Sequence, residues 1–370
     1  MTGRARNERF VKKKNLRQWI WLGVSTLILA LIIFNLRHNP EWRNFDWARL
    51  WKSLVSAQPG LLLLALVGVY GTYLFRALRW QSLMHPIKKG SLWVLFVGQL
   101  LGFSSIYLVG RPGEFVRPAY IARKEQLPIT SMVAVWLMER ILDSICMVGL
   151  FSAVLYFAPV EMSSAGKHVL TVMHQAGDAM LAITVVLIAG LVIYRWKTQM
   201  LMDWVMRKAS FLPQSIQRHL QHFLRSFAEG LQVVRSMPDF AGSVGLSIVL
   251  WCTNATVFWL TLRSLGGTLG SFVWLAAALV LFCASLGLVV QFPGIGGGYQ
   301  VGIVLALTEI FGIAADVSTG AAILLWLMMS VPVLLVSLGL LVHEGLSFRR
   351  LEAITEEEEL EQEAAVKEKE

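Results

Sequence analysis

Leu108-Val109-Gly110-Arg111-Pro112-Gly113-Glu114-Phe115-Val116-Arg117-Pro118 interrupts an apolar run with two prolines, two glycines and three charges. A second interruption, Gln291-Phe292-Pro293-Gly294-Ile295-Gly296-Gly297-Gly298-Tyr299-Gln300, is glycine-rich and carries no charge. Between and around them the chain is far too apolar to be soluble. Of its 370 residues 56% are hydrophobic and 15% charged, with a mean hydropathy of +0.60. Soluble domains average about 45–50% apolar and about 25% charged. That balance excludes a soluble enzyme, a disordered chain and a fibrous repeat. The apolar residues fall in runs long enough to cross a hydrocarbon core, since about 20 residues at 1.5 Å rise span ~30 Å. The expected fold is an all-α polytopic membrane protein of about eight transmembrane helices plus two broken, re-entrant segments.

The expected spans lie at 19–36, 60–78, 92–109, 131–157, 179–195, 242–262, 272–291 and 319–343. Charge sets their direction, because cytoplasmic loops carry an excess of Lys and Arg. The tail 1–17 is basic and reads as cytoplasmic. It is no secretory signal, since Asn35-Leu36-Arg37-His38 is not a small-residue cleavage site. The loop assigned Arg76, Arg79, Lys88 and Lys89 reads as cytoplasmic, as does 195–237, which holds seven Lys/Arg. Segment 158–178 carries only Lys167 and reads as external. Arg349 and Arg350 keep the C-terminus inside. The span domain is 18–345 and the acidic tail 346–370. Residues 352–370 hold nine acids and two lysines; removing them from 33 basic and 24 acidic residues leaves 31 and 15, a net +16. Such a balance elsewhere suggests nucleic acid, but here it sets topology and faces anionic headgroups, so no nucleic-acid partner is expected.

These directions do not close with eight simple spans. The helices at 92–109 and 131–157 both leave the cytoplasm, and those at 272–291 and 319–343 both enter it. Segments 110–128 and 292–313 must return the chain, in opposite senses. An inverted-topology repeat has that property, with broken helices meeting inside the membrane. Such backbone is tolerated only where protein or water satisfies it. The alternative is an external loop at 110–128 that breaks the charge rule with Arg111, Arg117, Arg123 and Lys124. In 197–237, Leu220, Phe223, Phe227, Leu231 and Val234 recur at helical spacing. That is an amphipathic helix, on the inner leaflet or against the bundle underside. His219 and His222 lack a third ligand, so neither a metal nor a cofactor is expected.

Charges inside spans are costly, at least ~2.5 kcal/mol each, and need a reason. Two clusters qualify. One is Arg111, Glu114 and Arg117. The other is Glu139, Arg140 and Asp143, inside the apolar run 132–157. Glu139 and Asp143 share a helix face, while Arg140 points about 100° away and must meet a carboxylate or a phosphate. The functional reading is a polar cavity that holds a lipid phosphate, because the guanidinium fork donates two parallel bonds. The plain reading is a buried network that ties helices together. The glycines Gly110, Gly113, Gly294, Gly296, Gly297 and Gly298 permit unwound turns and close approach. Gln300 adds an uncharged polar group at the second break.

Gly110-x2-Gly113-Glu114-x2-Arg117, Ser131, Glu139-Arg140-x2-Asp143 and Pro293-Gly294-x-Gly296-x-Gly298 together resemble the flippase-like membrane-domain family. That family includes the transmembrane half of lysylphosphatidylglycerol synthase. The resemblance covers residues from about 20 to 345. It implies a transporter, not an enzyme, that moves a phospholipid or polyprenyl-phosphate lipid between leaflets of a bacterial inner membrane. On the residues themselves, Arg111 and Arg117 are expected on the phosphate, Glu114, Glu139 and Asp143 hold the arginines or meet a cationic headgroup, and Arg140 and Gln300 complete the expected substrate-binding set. Two departures stand out. No synthase domain follows in these residues, so aminoacyl transfer is not expected. Gln300 stands where relatives commonly have a glutamate, which removes a titratable group and weakens the case for a cationic headgroup. The alternatives are a polyprenyl-phosphate glycosyltransferase and a non-catalytic scaffold. The first wants an acidic cluster for metal and sugar phosphate, yet Glu41, Asp46, Glu161, Asp178, Asp203 and Glu229 are scattered.

Overall fold

The computed structural model describes residues 46–157, scattered positions between 175 and 221, and 236–343 apart from 289–290 and 293–295. The expected span at 19–36 and both tails lie outside them, as do most residues of 179–195 and of 197–237. Among the described residues nine helices of eight residues or more carry the fold: α1 (Trp47–Val55), α2 (Pro59–Met84), α3 (Leu92–Val109), α4 (Val116–Glu125), α5 (Ile129–Phe157), α6 (Met237–Ser264), α7 (Trp274–Gly287), α8 (Gly298–Leu305) and α9 (Ala315–His343). A 3-10 turn, Arg111–Phe115, joins α3 to α4, and a π-helical turn, Ala306–Ile310, extends α8.

Local sequence explains the helix ends. The Asp46 carboxylate accepts the Ala48 and Arg49 amides and starts α1. Pro59 sits in the first turn of α2 and Pro238 in that of α6, where a missing N–H costs nothing. Among the described residues three helices are long and apolar enough to cross a membrane: Pro59–Met84, Met237–Ser264 and Ala315–Leu340. The 29-residue α5 is equally long but carries Glu139, Arg140 and Asp143. Outward faces are apolar, with Leu63, Val67, Trp93, Ile248 and Leu335 all more than half exposed. A bilayer takes such a surface; water does not.

α2 and α6 form an antiparallel central pair. Ser82 Oγ donates to the Asp239 carbonyl at one end (2.9 Å), and the Gln58 amide donates to the Ser264 carbonyl at the other (2.8 Å). Each member of the pair is followed or preceded by a re-entrant hairpin. In the first hairpin α4 runs back along α3. Gly98 faces Ile121, Gly102 faces Arg117, and Gly113 abuts the Ser105 backbone. Its mouth is closed where Glu125 accepts the Ser91 amide (2.8 Å) and meets Lys88 (3.0 Å). In the second hairpin α8 runs back along α7. Gly287 faces the Gly298 carbonyl and Gly302 the Cys283 carbonyl. Its mouth is closed by Phe272 against Phe311, with ring centroids 4.8 Å apart.

The two mouths lie at opposite ends of the central pair. Gln81 of α2 donates to Gly90 beside the first mouth. Trp259 of α6 donates to Phe272 at the second. The order helix, hairpin, long helix therefore occurs twice with opposite polarity: α2, α3–α4, α5, then α6, α7–α8, α9. This is the inverted repeat that the charge directions require, and 110–128 is a return segment, not a loop. The tip of the second hairpin differs from the expected plain unwound turn. Gln291 pairs with Gly297 and Phe292 with Gly296 in a two-residue antiparallel ladder. Backbone groups inside a membrane need partners, and this ladder supplies them.

Each hairpin has its own apolar core. Leu95, Leu101, Ile121, Val135 and Met138 surround the first, and Phe258, Leu279, Phe282, Ile303 and Leu325 the second. A smaller cluster, Ala65, Val69, Tyr73, Leu100, Val257 and Val333, joins them at the centre. Three hydroxyls fasten α9 near Pro332: Tyr70 donates to the Pro332 carbonyl, Tyr107 to Met329 and Ser104 to Ser337. Cys146, Cys252 and Cys283 are unpaired, and Cys252 is exposed on the bundle surface, not buried as its apolar run suggests.

Candidate functional site

Four arginines converge on two carboxylates between α2, α3, α4 and α5. Arg79 of α2 is fully buried and bridges both, with Nη2 2.6 Å from Glu139 Oε1 and Nη1 2.6 Å from Asp143 Oδ1. Arg117 enters from α4; its Nη2 lies 2.6 Å from Glu139 Oε2. Its Nη1 donates to Gln99 Oε1 of α3, also at 2.6 Å. Trp80 Nε1 donates to Glu139 Oε2 (2.9 Å) and Trp251 Nε1 to Asp143 Oδ1 (3.3 Å). Ser247 of α6 accepts from Arg79. Glu139 thus has both oxygens filled by charged and indole donors. A carboxylate and a guanidinium tolerate such burial only when paired this completely.

Arg76 and Arg140 form a second, looser layer. Arg76 Nη1 stands 3.6 Å from Glu139 Oε1 and 4.0 Å from Asp143 Oδ2. Its guanidinium lies over the Phe103 ring, 4.6 Å from the centroid. Arg140 Nη2 is 3.1 Å from Asp143 Oδ2, and its side chain is 34% exposed. Arg140 meets a carboxylate as its helical position requires, through the i,i+3 relation on α5. Glu114, half-buried on the turn before α4, lies within electrostatic reach of Arg140. Counting it, four guanidiniums face three carboxylates among the described side chains, an excess of positive charge within that set.

Arg76 and Arg79 are the residues that sequence reasoning misplaced. They are not in a loop: α2 continues to Met84 and carries both inside the bundle. The periodicity held a signal. Arg76, Arg79 and Trp80 sit at i, i+3 and i+4, one face of a helix. Gln99 was also missed; it is fully buried in α3 with nothing in its neighbours to mark it.

The other expected site residues separate. Arg117, Glu139, Arg140 and Asp143 come together. Arg117 faces Glu139 and Gln99 rather than open space. The side chain of Arg111 lies outside the described residues. Gln300 stands in the first turn of α8, in the second hairpin. Among the glycines, Gly110 adopts φ +84° and Gly297 φ +92°, conformations that L side chains rarely take. Gly113 and Gly298 serve close approach, Gly296 pairs with Phe292, and Gly294 lies outside the described residues.

At 1.5 Å per residue the cluster lies about 10–15 Å from the α3 and α5 ends that flank the first mouth. Lys88, Lys89, Arg123 and Lys124 gather at that same end. A family described as the lysylphosphatidylglycerol synthase TM region matches residues 18–337. No curated protein matches the chain.

Proposed function

The chain belongs to the lysylphosphatidylglycerol synthase TM region family, and on that premise we propose that it moves a phosphate-bearing lipid between leaflets. One observation carries this reading: a cluster inside a membrane bundle whose arginines outnumber its carboxylates. Structural ion pairs need only balance. Surplus charge at that depth costs free energy unless an anion joins it. Arginine suits phosphate, and a lipid headgroup is the anion that the bilayer supplies.

The positive-inside rule places the first mouth, with its four lysines and arginines, at the cytoplasmic face. The headgroup then enters from the cytoplasmic leaflet and meets the cluster one-third to one-half of the way across. The inverted repeat supports exchange between faces, because two oppositely oriented halves have equivalent packings available to each side. In this reading the protein is a transporter with no resident cofactor, in the inner membrane of a bacterium.

The test is reconstitution in liposomes with a leaflet-specific assay. A fluorescent phosphatidylglycerol and a fluorescent diacylglycerol control are followed by reduction of the outer-leaflet probe. Protein-dependent exchange of the phosphate lipid, beyond the control, is the expected result. Equal rates with and without protein would sink the proposal.

A further inference from the structure

The two layers of the arginine cluster differ in what they have left to give. Arg79 and Arg117 spend their terminal nitrogens on Glu139, Asp143, Gln99 and Ser247. Arg140 leaves Nε and Nη2 without a hydrogen-bond partner among the described residues, although it is ion-paired with Asp143. Arg76 sits 3.6 and 4.0 Å from its carboxylates, beyond hydrogen-bond length. Their side chains reach the bundle surface further, at 13% and 34% exposed against 0% for Arg79 and 4% for Arg117, although Arg140 Nε and Nη2 are themselves buried.

Their spacing fits a single anion. Arg76 Nη1 and Arg140 Nη2 each lie 3.6 Å from the same atom, Glu139 Oε1, so they stand no more than twice that, about 7 Å, apart. One phosphate bridges such a gap with a charge-assisted bond of about 2.8 Å on each side. Phe103 holds the Arg76 guanidinium plane from behind. Asp143 Oδ2 also faces both, and at 3.1 Å from Arg140 Nη2 it keeps Arg140 from swinging away.

We propose that Arg76 and Arg140 form the phosphate clamp of this site, between α2 and α5, while Arg79 and Arg117 hold the carboxylates that position it. The inference rests on the phosphate-lipid reading above and divides the labour within it. The ligand chemistry is a phosphate group on a lipid. The clamp joins α2 of the first repeat to its α5, so headgroup binding would tie the hairpin between them to both.

The experiment measures lipid retention on the purified full chain in nanodiscs by native mass spectrometry. The probes are phosphatidate, phosphatidylglycerol and diacylglycerol, with inorganic phosphate in solution as a fourth arm. The variants are Arg76→Gln, Arg140→Gln, Arg140→Lys and Arg263→Gln, the last a control on α6 beside the second mouth. Each clamp variant is expected to lower occupancy by phosphatidate and phosphatidylglycerol about tenfold or more. Arg140→Lys, which keeps the charge and loses the fork, should recover part of it, and Arg263→Gln none of the loss. Thermal unfolding should stay within a few degrees of wild type in all four. Wild-type retention in folded Arg76→Gln and Arg140→Gln overturns the clamp. If wild type binds diacylglycerol as well as phosphatidate, the phosphate-lipid reading itself fails. If inorganic phosphate binds with the same arginine dependence and the lipids do not, the clamp stands and the lipid assignment falls.

Discussion

The two hairpins share a backbone and differ in chemistry. Both are re-entrant, both turn at a positive-φ glycine, and both pack their arms through glycine against the opposing strand of chain. Yet α4 delivers Arg117 to Glu139 and ends in Arg123, Lys124 and Glu125, whereas residues 274–308 contain no Lys, Arg, Asp or Glu. The first mouth is shut by Glu125 with Lys88, the second by two phenylalanine rings. Symmetry of topology therefore does not carry symmetry of charge. One half holds the buried charged cluster, and the other is free of charge from 274 to 308. The lesson is that the repeat fixes where chain breaks occur, and side chains decide which break does chemistry.

The largest effect separating the halves should come from Glu139→Gln. It leaves Arg117 without a carboxylate among the described residues and Arg79 with Asp143 alone, at a cost of about 3–5 kcal/mol. Loss of monodisperse protein or a sharply lowered melting temperature in detergent is expected. A variant as stable as wild type would show that the cluster is not the keystone of the first half. Gly302→Val should come next. Its branched side chain is driven into the Cys283 carbonyl, an overpacking cost of about 1–3 kcal/mol. Gly245→Ala, inside α6 with open space around it, should lose nothing and gain up to about 1 kcal/mol by the same melt. If Gly302→Val is silent, the second hairpin is not held by close approach and the comparison loses its common feature.

Glu125→Gln is expected to cost about 1 kcal/mol, since its Lys88 partner is 45% exposed and solvent weakens the pair. Increased proteolysis or hydrogen exchange at 86–91 would register the loosened mouth, and unchanged protection would remove Glu125 as the clasp. The smallest effect belongs to Tyr299→Phe. The Tyr299 hydroxyl is buried with no hydrogen-bond partner among the described residues, so its removal should be neutral or stabilising by about 1 kcal/mol. A loss of lipid exchange in a stable Tyr299→Phe would break the comparison, because the charge-free half would then be handling substrate.

Much of this was legible before any coordinates. Run lengths mark α2, α3, α5, α6 and α9, and the charge directions demand two returns at 110–128 and 292–313. Both returns are present where the Gly and Pro breaks put them. Glu139, Asp143 and Arg117 stand out because charge within an apolar run is rare. Arg76 and Arg79 escaped because an arginine near a span end reads the same whether it ends the helix or continues inward. Only its partners distinguish the two, and Glu139 lies 60 residues away from Arg79. Gln99 escaped because a neutral polar residue in an apolar helix carries no local cost large enough to notice.

By itself the sequence determined the membrane-spanning class, the long helices and the sense of the two hairpins. These follow from hydrophobic run length and from charge at the ends of runs, which are local quantities. Tertiary structure alone decided which arginines are committed to carboxylates and which keep free donors. Pairing inside a low-dielectric bundle depends on distances of a few ångströms between helices distant in sequence, and no local pattern encodes them.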